Sequence, residues 1–415
     1  MDNAKPFCIS KREVWEAYKR VRAHHGAAGV DGQSIAMFAE DLANNLYKLW
    51  NRMASGSYFP PPVRQVMIPK EQGGCRALGI PTVSDRIAQM VVTRYLEPIV
   101  EKIFHRDSYG YRPGKSAIEA VGVARQRCWR RDWVLHFDIT GCFDHLDRSL
   151  LMRAVRKHTN CPWVLLYIER WLAAPVQLPE GRLTRPEKGV PQGAVISPLL
   201  SNLFLHYAFD VWMTRYQAAI RFERYADDAL CHCTSQQQAE RLKTALAQRL
   251  ANCGLEVHPQ KTRVVYCKDS LRQGTYPEQQ FDFLGFTFRP RKSKDRFGRY
   301  FTNFTPAVSG RAAKRMRQTM RRWALHRRSD QALDDLARMC NPVLWGWLNY
   351  YGSYYRSALR PIFRHLDEHL TRWAKQKYKR LRRHHRRARH WLQRIMQRQP
   401  KLFAHWRVLQ STAGQ

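Results

Sequence analysis

The sequence predicts an α+β protein, with antiparallel hairpins through the first part of the chain and a helical, strongly basic remainder. Three observations carry this. Runs that alternate or stay apolar over strand lengths, bounded by glycine or aspartate, recur at residues 63–70, 133–139, 222–233 and 281–288. Segments with apolar residues at helical spacing lie between them. After Arg289 the composition shifts to basic segments with helical periodicity. A chain of 415 residues with 44% hydrophobic content can build two or three domains with cores.

Charge is the strongest global feature: 71 Lys and Arg against 34 Asp and Glu, a net of +37. A surplus of that size repels itself unless a polyanion neutralises it, which points to nucleic acid. A basic membrane-binding surface is the competing reading, weakened by the absence of any apolar run near about 18 residues. The first residues carry no apolar signal core, so a cytoplasmic location and no membrane partner are expected. Ten cysteines are scattered without a Cys-x-x-Cys pair. Cys231-His232-Cys233 looks like a metal cluster, but a strand would point His232 away from both thiols, and core thiols are the simpler reading.

Taken in order, Val14, Trp15, Tyr18 and Val21 mark a helix over 10–24, with Ser10 as N-cap and Glu13 three residues later. A second helix is expected to run through Ile35, Phe38, Leu42, Leu46 and Leu49. Three prolines at 60–62 impose an extended path. Residues 63–70 and 75–80 form a hairpin around Gly73-Gly74, with Lys70 and Arg76 on a basic tip that could be merely solvated. A helix follows over 85–103, with Ile87, Met90, Val91, Arg94 and Tyr95 spaced for burial. An aromatic loop holding Arg106 and Arg112 comes next, then a helix to about 129. Gly114-Lys115-Ser116 lacks the earlier glycine and the strand of a phosphate loop. Helices are expected over 162–171, 199–216 and 235–253, and a hairpin over 176–183. The glycines of Gly189-Val190-Pro191-Gln192-Gly193 allow close approach of a ligand. Residues 291–299 read as a basic linker. Three helices then follow over 311–325, 330–355 (interrupted by Pro342) and 361–383, with a basic tail over 379–390.

The chemistry gathers at Tyr225-Ala226-Asp227-Asp228, read as a hairpin with both aspartates at its turn. Adjacent carboxylates repel, and a fold keeps them together mainly around a cation; hard oxygen ligands suit Mg²⁺. Asp-Asp is also ordinary turn chemistry. Asp138, at the end of an apolar strand, is either a ligand-binding carboxylate or a helix N-cap. Crossover helices could bring Asp138, Asp227 and Asp228 onto one sheet. There, two Mg²⁺ ions about 3.5–4 Å apart would clamp an in-line phosphoryl displacement.

Phe137-Asp138 with Phe143, Pro191-Gln192-Gly193, Tyr225-Ala226-Asp227-Asp228, Lys261 and Phe283-Leu284-Gly285-Phe286 resemble, in order and context, the palm motifs of reverse transcriptases. Ala28-Gly29-Val30-Asp31-Gly32, Arg76 to Pro81, Tyr109 to Pro113, Gly189 to Gly193 with Ser197 to Asn202, and Asn341-Pro342 with Gly346-Trp347 and Asn349-Tyr350 narrow the resemblance to group II intron reverse transcriptase/maturases. It covers almost the whole chain.

The resemblance implies a right-hand polymerase. Residues 1–130 would be an N-terminal extension and fingers, 131–290 a palm with an antiparallel sheet and the polymerase site, and 291–415 an all-helical thumb/maturase region with a basic tail. Asp138 and Asp227 would be the principal Mg²⁺ ligands (Mn²⁺ a substitute), with Asp228 supporting and Ile139 in the same metal site. Lys70 and Arg76 would hold the dNTP triphosphate, and Phe143 would exclude a ribose 2′-hydroxyl. Gln192 and Gly193 would line nucleotide and template. Lys261 would donate a proton to pyrophosphate, or serve as a structural lysine. Tyr225, Phe283, Leu284 and Gly285 would contact primer and template. Arg112, Arg317, Arg321, Lys379, Arg382, Arg383, Arg386 and Arg387 are candidate RNA contacts.

The implied partners are structured intron RNA, an RNA template with a DNA primer, dNTPs and a DNA target, with monomer or dimer undecided. Thr140 and Cys142 depart from the family pattern without removing a ligand. The Cys and His clusters of a nuclease carried by many relatives are missing, which implies a primer made elsewhere. Two alternatives are a relative serving antiphage defence or DNA repair, and a non-catalytic RNA-binding splicing cofactor.

Overall fold

The computed structural model describes residues 5–69 and 73–410; Lys70, one of the expected triphosphate contacts, lies outside them. Helices α1 (Lys11–Ala23), α2 (Ile35–Glu40) and α3 (Leu42–Ala54) precede strands β1 (Val63–Pro69) and β2 (Cys75–Ile80), then α4 (Val83–Val100) and α5 (Ala117–Cys128). Strand β3 (Trp133–Phe137) leads to α6 (Cys142–His145), α7 (Arg148–Arg156), α8 (Pro162–Ala173) and the short strands β4 (Val176–Gln177) and β5 (Leu183–Thr184). Helix α9 (Ser197–Leu205) passes through a π-helical turn, His206–Asp210, into α10 (Val211–Tyr216). Then come β6 (Arg221–Tyr225), β7 (Asp228–Cys233), α11 (Gln236–Ala251), β8 (Arg263–Tyr266), β9 (Phe281–Phe283), β10 (Phe286–Lys294) and β11 (Tyr300–Val308). The described chain closes with α12 (Gly310–Arg322), α13 (Leu333–Tyr351), α14 (Arg360–Lys377), α15 (His385–Arg398) and α16 (Trp406–Gln410).

Two compact units result. The first takes in residues 1–120, 135–233 and 237–263, the second 121–134, 234–236 and 264–415. Strand order in one sheet is β2-β1-β4-β5, with β1 antiparallel to β2 and parallel to β4; in another it is β6-β7-β3-β8. Strand β3 is an apolar run because Trp133, Val134, Leu135 and Phe137 are all buried, leaving only His136 partly exposed. Helix α1 starts where Ser10 accepts a hydrogen bond from the Glu13 amide (3.1 Å) and buries Val14, Tyr18 and Val21. The Glu13 carboxylate, instead of completing a capping box, binds Arg94 at 2.9 Å.

The expected helix through Ile35 and Leu49 is broken at Asp41, whose dihedrals (φ −122°, ψ 52°) leave the helical region. In α4, Ile87 and Val91 are buried as their spacing predicts, but Tyr95 is 39% exposed. Asp85 lies inside α4 rather than opening it, because Thr82 caps the helix by accepting from the Asp85 amide. The 199–216 helix begins at Ser197 and contains the unforeseen π turn.

In the second unit the basic linker expected at 291–299 is a hairpin. Strands β10 and β11 pair from Phe286↔Val308 to Lys294↔Tyr300, and β9 joins them as β11-β10-β9. Its outer half escaped the sequence reading because it has no buried face to impose apolar alternation. The region after 290 is therefore not all helical. Nor does Pro342 interrupt α13, which runs through it. Leu336, Ala337, Cys340, Leu344 and Leu348 bury one face on both sides of the proline, and that packing outweighs the roughly 3 kcal/mol cost of a mid-helix proline. The basic tail hides a fourth long helix, α15, whose sparse apolar stripe (Ala388, Leu392) is buried. Among the described residues no helix is long and apolar enough to cross a membrane.

Trp373 is fully buried in the core of the second unit, and its indole N–H donates to the Arg328 carbonyl at 2.9 Å. Trp373→Ala should lower unfolding free energy by about 3–5 kcal/mol, read as a shift in the denaturant midpoint.

Candidate active site

The first unit builds its site where β3 ends and β7 begins. Asp228 opens β7, opposite Tyr225 of β6, so only Ala226 and Asp227 form the turn; the expectation of both aspartates at the turn is corrected by one residue. Ala226 takes φ +57°, a left-handed conformation that costs a non-glycine residue energy. His136, two residues before Asp138, places Nε2 2.9 Å from the Asp228 carboxylate, so the two strand ends lie side by side.

Burial first, then the charge of Asp138, raises the Asp227 carboxyl to about 6, with Asp228 adding to the push and Arg76 opposing it. Asp138 and Asp227 are thus close enough to repel. The Asp138 carboxylate accepts a hydrogen bond from the half-exposed Lys261 ammonium at 2.6 Å. Its backbone is pinned as well: Asp138 O accepts from the His258 amide and Thr140 N donates to Glu256 O, each at 2.8 Å, with Ile139 bridged to Val257. Asp138 caps no helix, since α6 takes Gly141 as its N-cap.

Among the described residues no three His, Cys, Asp or Glu side chains are gathered as a ready metal cage. Two converging carboxylates still fit Mg²⁺, which is commonly bound by one or two carboxylates with water and substrate phosphates completing its shell. The excess negative charge registered at Asp227 is what such a cation would relieve.

Beneath the turn lies an ion pair the sequence reading missed. Arg224, 1% exposed, donates to both Asp210 oxygens at 2.7 and 2.6 Å, to Asn202 Oδ1 at 3.1 Å and to the Ala226 carbonyl at 3.0 Å. Asn202 in turn donates to Gly110 O at 2.7 Å. Gly110 has to be glycine, because a Cβ there would stand 2.4 Å from the Ala226 nitrogen. The signal was an acid inside the apolar 199–216 helix, needing a buried partner; Arg224 shares its strand with Arg221 and Glu223 and gave no such contrast.

Of the expected nucleotide contacts, Arg76 donates to Gln192 Oε1 (2.5 Å), and Gln192 donates to Asp144 at 2.8 Å, so three side chains form one chain of bonds. Gly193 (φ +108°) approaches Gly79 O so closely that a Cβ would meet it at 2.7 Å. Phe143 is buried and its carbonyl accepts from the Val190 amide (2.8 Å), seating the 189–193 loop. The far side of that loop is held from the core. Gln89 Oε1 accepts from the Val195 amide (2.8 Å), while Gln89 Nε2 donates to the fully buried Asp85 carboxylate (2.9 Å). Tyr58 and Trp171 also donate to Asp85, at 2.8 and 2.7 Å.

In the second unit, Phe283 is buried and Leu284-Gly285 (φ +50° and +81°) make the β9–β10 turn, with Tyr350 donating to Leu284 O at 2.8 Å. Arg112, an expected RNA contact, donates to Glu101 and to the carbonyls of His105 and Ser108. Arg317 is half-buried, whereas Arg321, Lys379, Arg382, Arg383, Arg386 and Arg387 are exposed.

A sheet with acids at these strand ends, motifs in this order and a basic helical region after them define the class. Residues 68–288, more than half the chain, match the reverse transcriptase (RNA-dependent DNA polymerase) family, and the chain belongs to it. Residues 313–391 match the group II intron maturase-specific domain, which places the chain with the group II intron reverse transcriptase/maturases. Protein YkfC of Escherichia coli is 40% identical over 190 residues, 45% of this chain and 49% of that protein. Group II intron-encoded protein LtrA of Lactococcus lactis is 28% identical over 257 residues, 60% of this chain and 42% of LtrA. A putative COX1/OXI3 intron 1 protein of Saccharomyces cerevisiae is 28% identical over 202 residues, 48% of this chain and 24% of that one. The chain spans about half or less of the length of each of these relatives.

Asp85 gives a pH prediction. Burial raises its carboxyl from 3.8 to about 6, so the folded state binds its proton more tightly than the unfolded one. The stability this contributes is complete below about pH 4 and is lost as pH rises through 6. Measured by denaturation, the stability of Asp85→Asn relative to the parent should therefore increase between pH 4 and 6, by at most about 3 kcal/mol.

Proposed function

We propose that the chain is an RNA-directed DNA polymerase that adds dNTPs to a primer 3′-hydroxyl on an RNA template, and that it also holds a folded intron RNA. The observation that carries the reading is the meeting of Asp138 and Asp227 at adjoining strand ends, with the Asp227 carboxyl raised by burial first and by the charge of Asp138 second. In the reaction the 3′-oxygen forms a bond to the α-phosphorus of the dNTP while the bond to the β-phosphate oxygen breaks, and pyrophosphate leaves.

Asp138 and Asp227 would hold Mg²⁺, or Mn²⁺ in its place, with Asp228 and the backbone at Ile139 close by. When bound, the ions supply charge neutralisation at the attacking and leaving oxygens. The chain's own contribution is positioning. Arg76, tied to Gln192, offers a cation to the triphosphate, and Lys70 is expected to join it. Phe143 would close the space against a 2′-hydroxyl. Lys261, already an ion-pair partner of Asp138 at 2.6 Å, is placed to neutralise charge or give up a proton. Tyr225 and the 283–285 turn would contact primer and template in a fingers, palm and thumb arrangement.

Support for the RNA partner comes from the maturase-specific match, the net charge of +37 and the exposed cations at 379–387. LtrA is described as intron-encoded, and an intron RNA is the corresponding ligand here.

Primer extension on an RNA template tests the assignment. Asp138→Asn and Asp227→Ala should each reduce it by at least about a hundredfold while leaving RNA binding intact. Extension by Asp227→Ala at the parent rate would remove the metal assignment. Phe143→Ala should raise the ratio of ribonucleotide to deoxyribonucleotide incorporation with little effect on dNTP turnover.

A further inference from the structure

The β10–β11 hairpin has two halves of opposite character. Near its base it is core, with Phe286, Phe288, Phe304 and Ala307 buried. Toward its tip, Phe297, Tyr300 and Phe301 are 68%, 74% and 39% exposed. Cations stand over two of these rings: Arg296 lies 4.7 Å from the Phe297 centroid and Lys294 lies 5.8 Å from that of Tyr300. Arg299 approaches Phe297 from 5.9 Å. The acid of the tip, Asp295, accepts hydrogen bonds from the Phe297 and Arg299 amides at 2.8 Å each, so it shapes the turn.

Tyr300 pairs with Lys294 and Phe301 with Ser293. Successive strand residues face opposite ways, so both faces of the ribbon carry a ring. Next to Phe301, Thr302 accepts from the Ser270 amide at 3.0 Å, which brings Leu271, 93% exposed, to the same region.

Exposed rings flanked by cations, with the local acid occupied, have a specific chemical complement. A nucleobase offers a π-face to each ring, and the phosphates on either side of it meet Arg and Lys. Base pairing hides those faces in a duplex, so the match is to unpaired strands. We propose that this tip binds single-stranded nucleic acid, with bases stacked on Phe297, Tyr300 and Phe301 and phosphates against Lys294, Arg296 and Arg299. The site lies wholly in the second unit and requires none of the polymerase carboxylates.

The test measures binding of the full chain to an unstructured single-stranded RNA, the same sequence as DNA, a blunt RNA duplex and vesicles of anionic lipid. A chain carrying Phe297→Ser, Tyr300→Ser and Phe301→Ser should bind the single-stranded RNA about tenfold or more weakly, with its salt dependence unchanged and duplex affinity altered less than about twofold. Arg296→Ser with Arg299→Ser should instead flatten the salt dependence, lowering its slope by about 1–2. An equal loss for DNA supports recognition through base and phosphate alone, and a loss confined to RNA adds a 2′-hydroxyl contact. Should the triple variant melt early, Tyr300→Ser alone carries the measurement. Parent-like affinity for single strands in a stably folded variant overturns the proposal, as does a loss seen only with vesicles. Asp227→Ala should bind as the parent does, so failure here and failure of the polymerase reading are told apart.

Discussion

Two carboxylates that repel each other are held at the ends of neighbouring strands, and much of the first unit serves that constraint. Burial, and then the charge of Asp138, makes ionisation of Asp227 harder. Three groups bond the strand ends around the two carboxylates: Lys261 pairs with Asp138, His136 with Asp228, and Arg224 donates to the Ala226 carbonyl.

The Arg224–Asp210 pair is the costly member of the set. Taking both charges out of water is expensive, and such pairs often add little net stability over an apolar replacement. What this one contributes is geometry. A planar guanidinium with fixed donor directions ties the π turn, Asn202 and the Asp227 turn to one another at distances of 2.6 to 3.1 Å. The backbone of Arg224 extends the tie: its amide donates to Asp107 O at 2.9 Å and its carbonyl accepts from the Tyr109 amide at 2.8 Å. The aromatic loop of 105–113 is thereby fixed against β6, and Gly110 can approach Ala226 only because it has no side chain.

What the sequence made legible follows from how each element is stabilised. Strand β3 and most of β7 are runs of buried apolar residues, so both were visible, and the acids beside them stood out. Helix α1 announced itself through Ser10 and its buried stripe. The outer β10–β11 ladder was invisible because its stability is backbone pairing with no buried face, leaving Arg and Lys to suggest a linker. Helix α15 was masked for a related reason: two buried apolar residues, Ala388 and Leu392, are lost among the arginines around them. Pro342 misled in the other direction, since propensity speaks for an isolated helix and α13 is held by its core. Asp85 is satisfied in part by Tyr58 and Trp171, and Arg224 by Asp210 and Asn202, none on its own helix or strand, so a buried charge could be noticed but its satisfaction could not be read.

The same distinction governs the positive surplus. A net charge of +37 suggests a uniform polyanion-binding surface, yet many of the arginines are consumed inside the protein. Arg112 and Arg224 are bonded to acids and carbonyls. Arg170 donates to Gly56 O and Tyr58 O, and Arg272 to Cys128 O and Arg131 O. A guanidinium that already satisfies backbone carbonyls cannot release counterions from a phosphate without breaking those bonds, so it contributes little to salt-dependent affinity. The cations free to do so are the exposed ones on stretches such as 379–387 and the β10–β11 tip, where few acids compete for them. Affinity for nucleic acid should therefore scale with that subset and not with the formal charge, and the sequence alone overstates it because it counts structural arginines at full value.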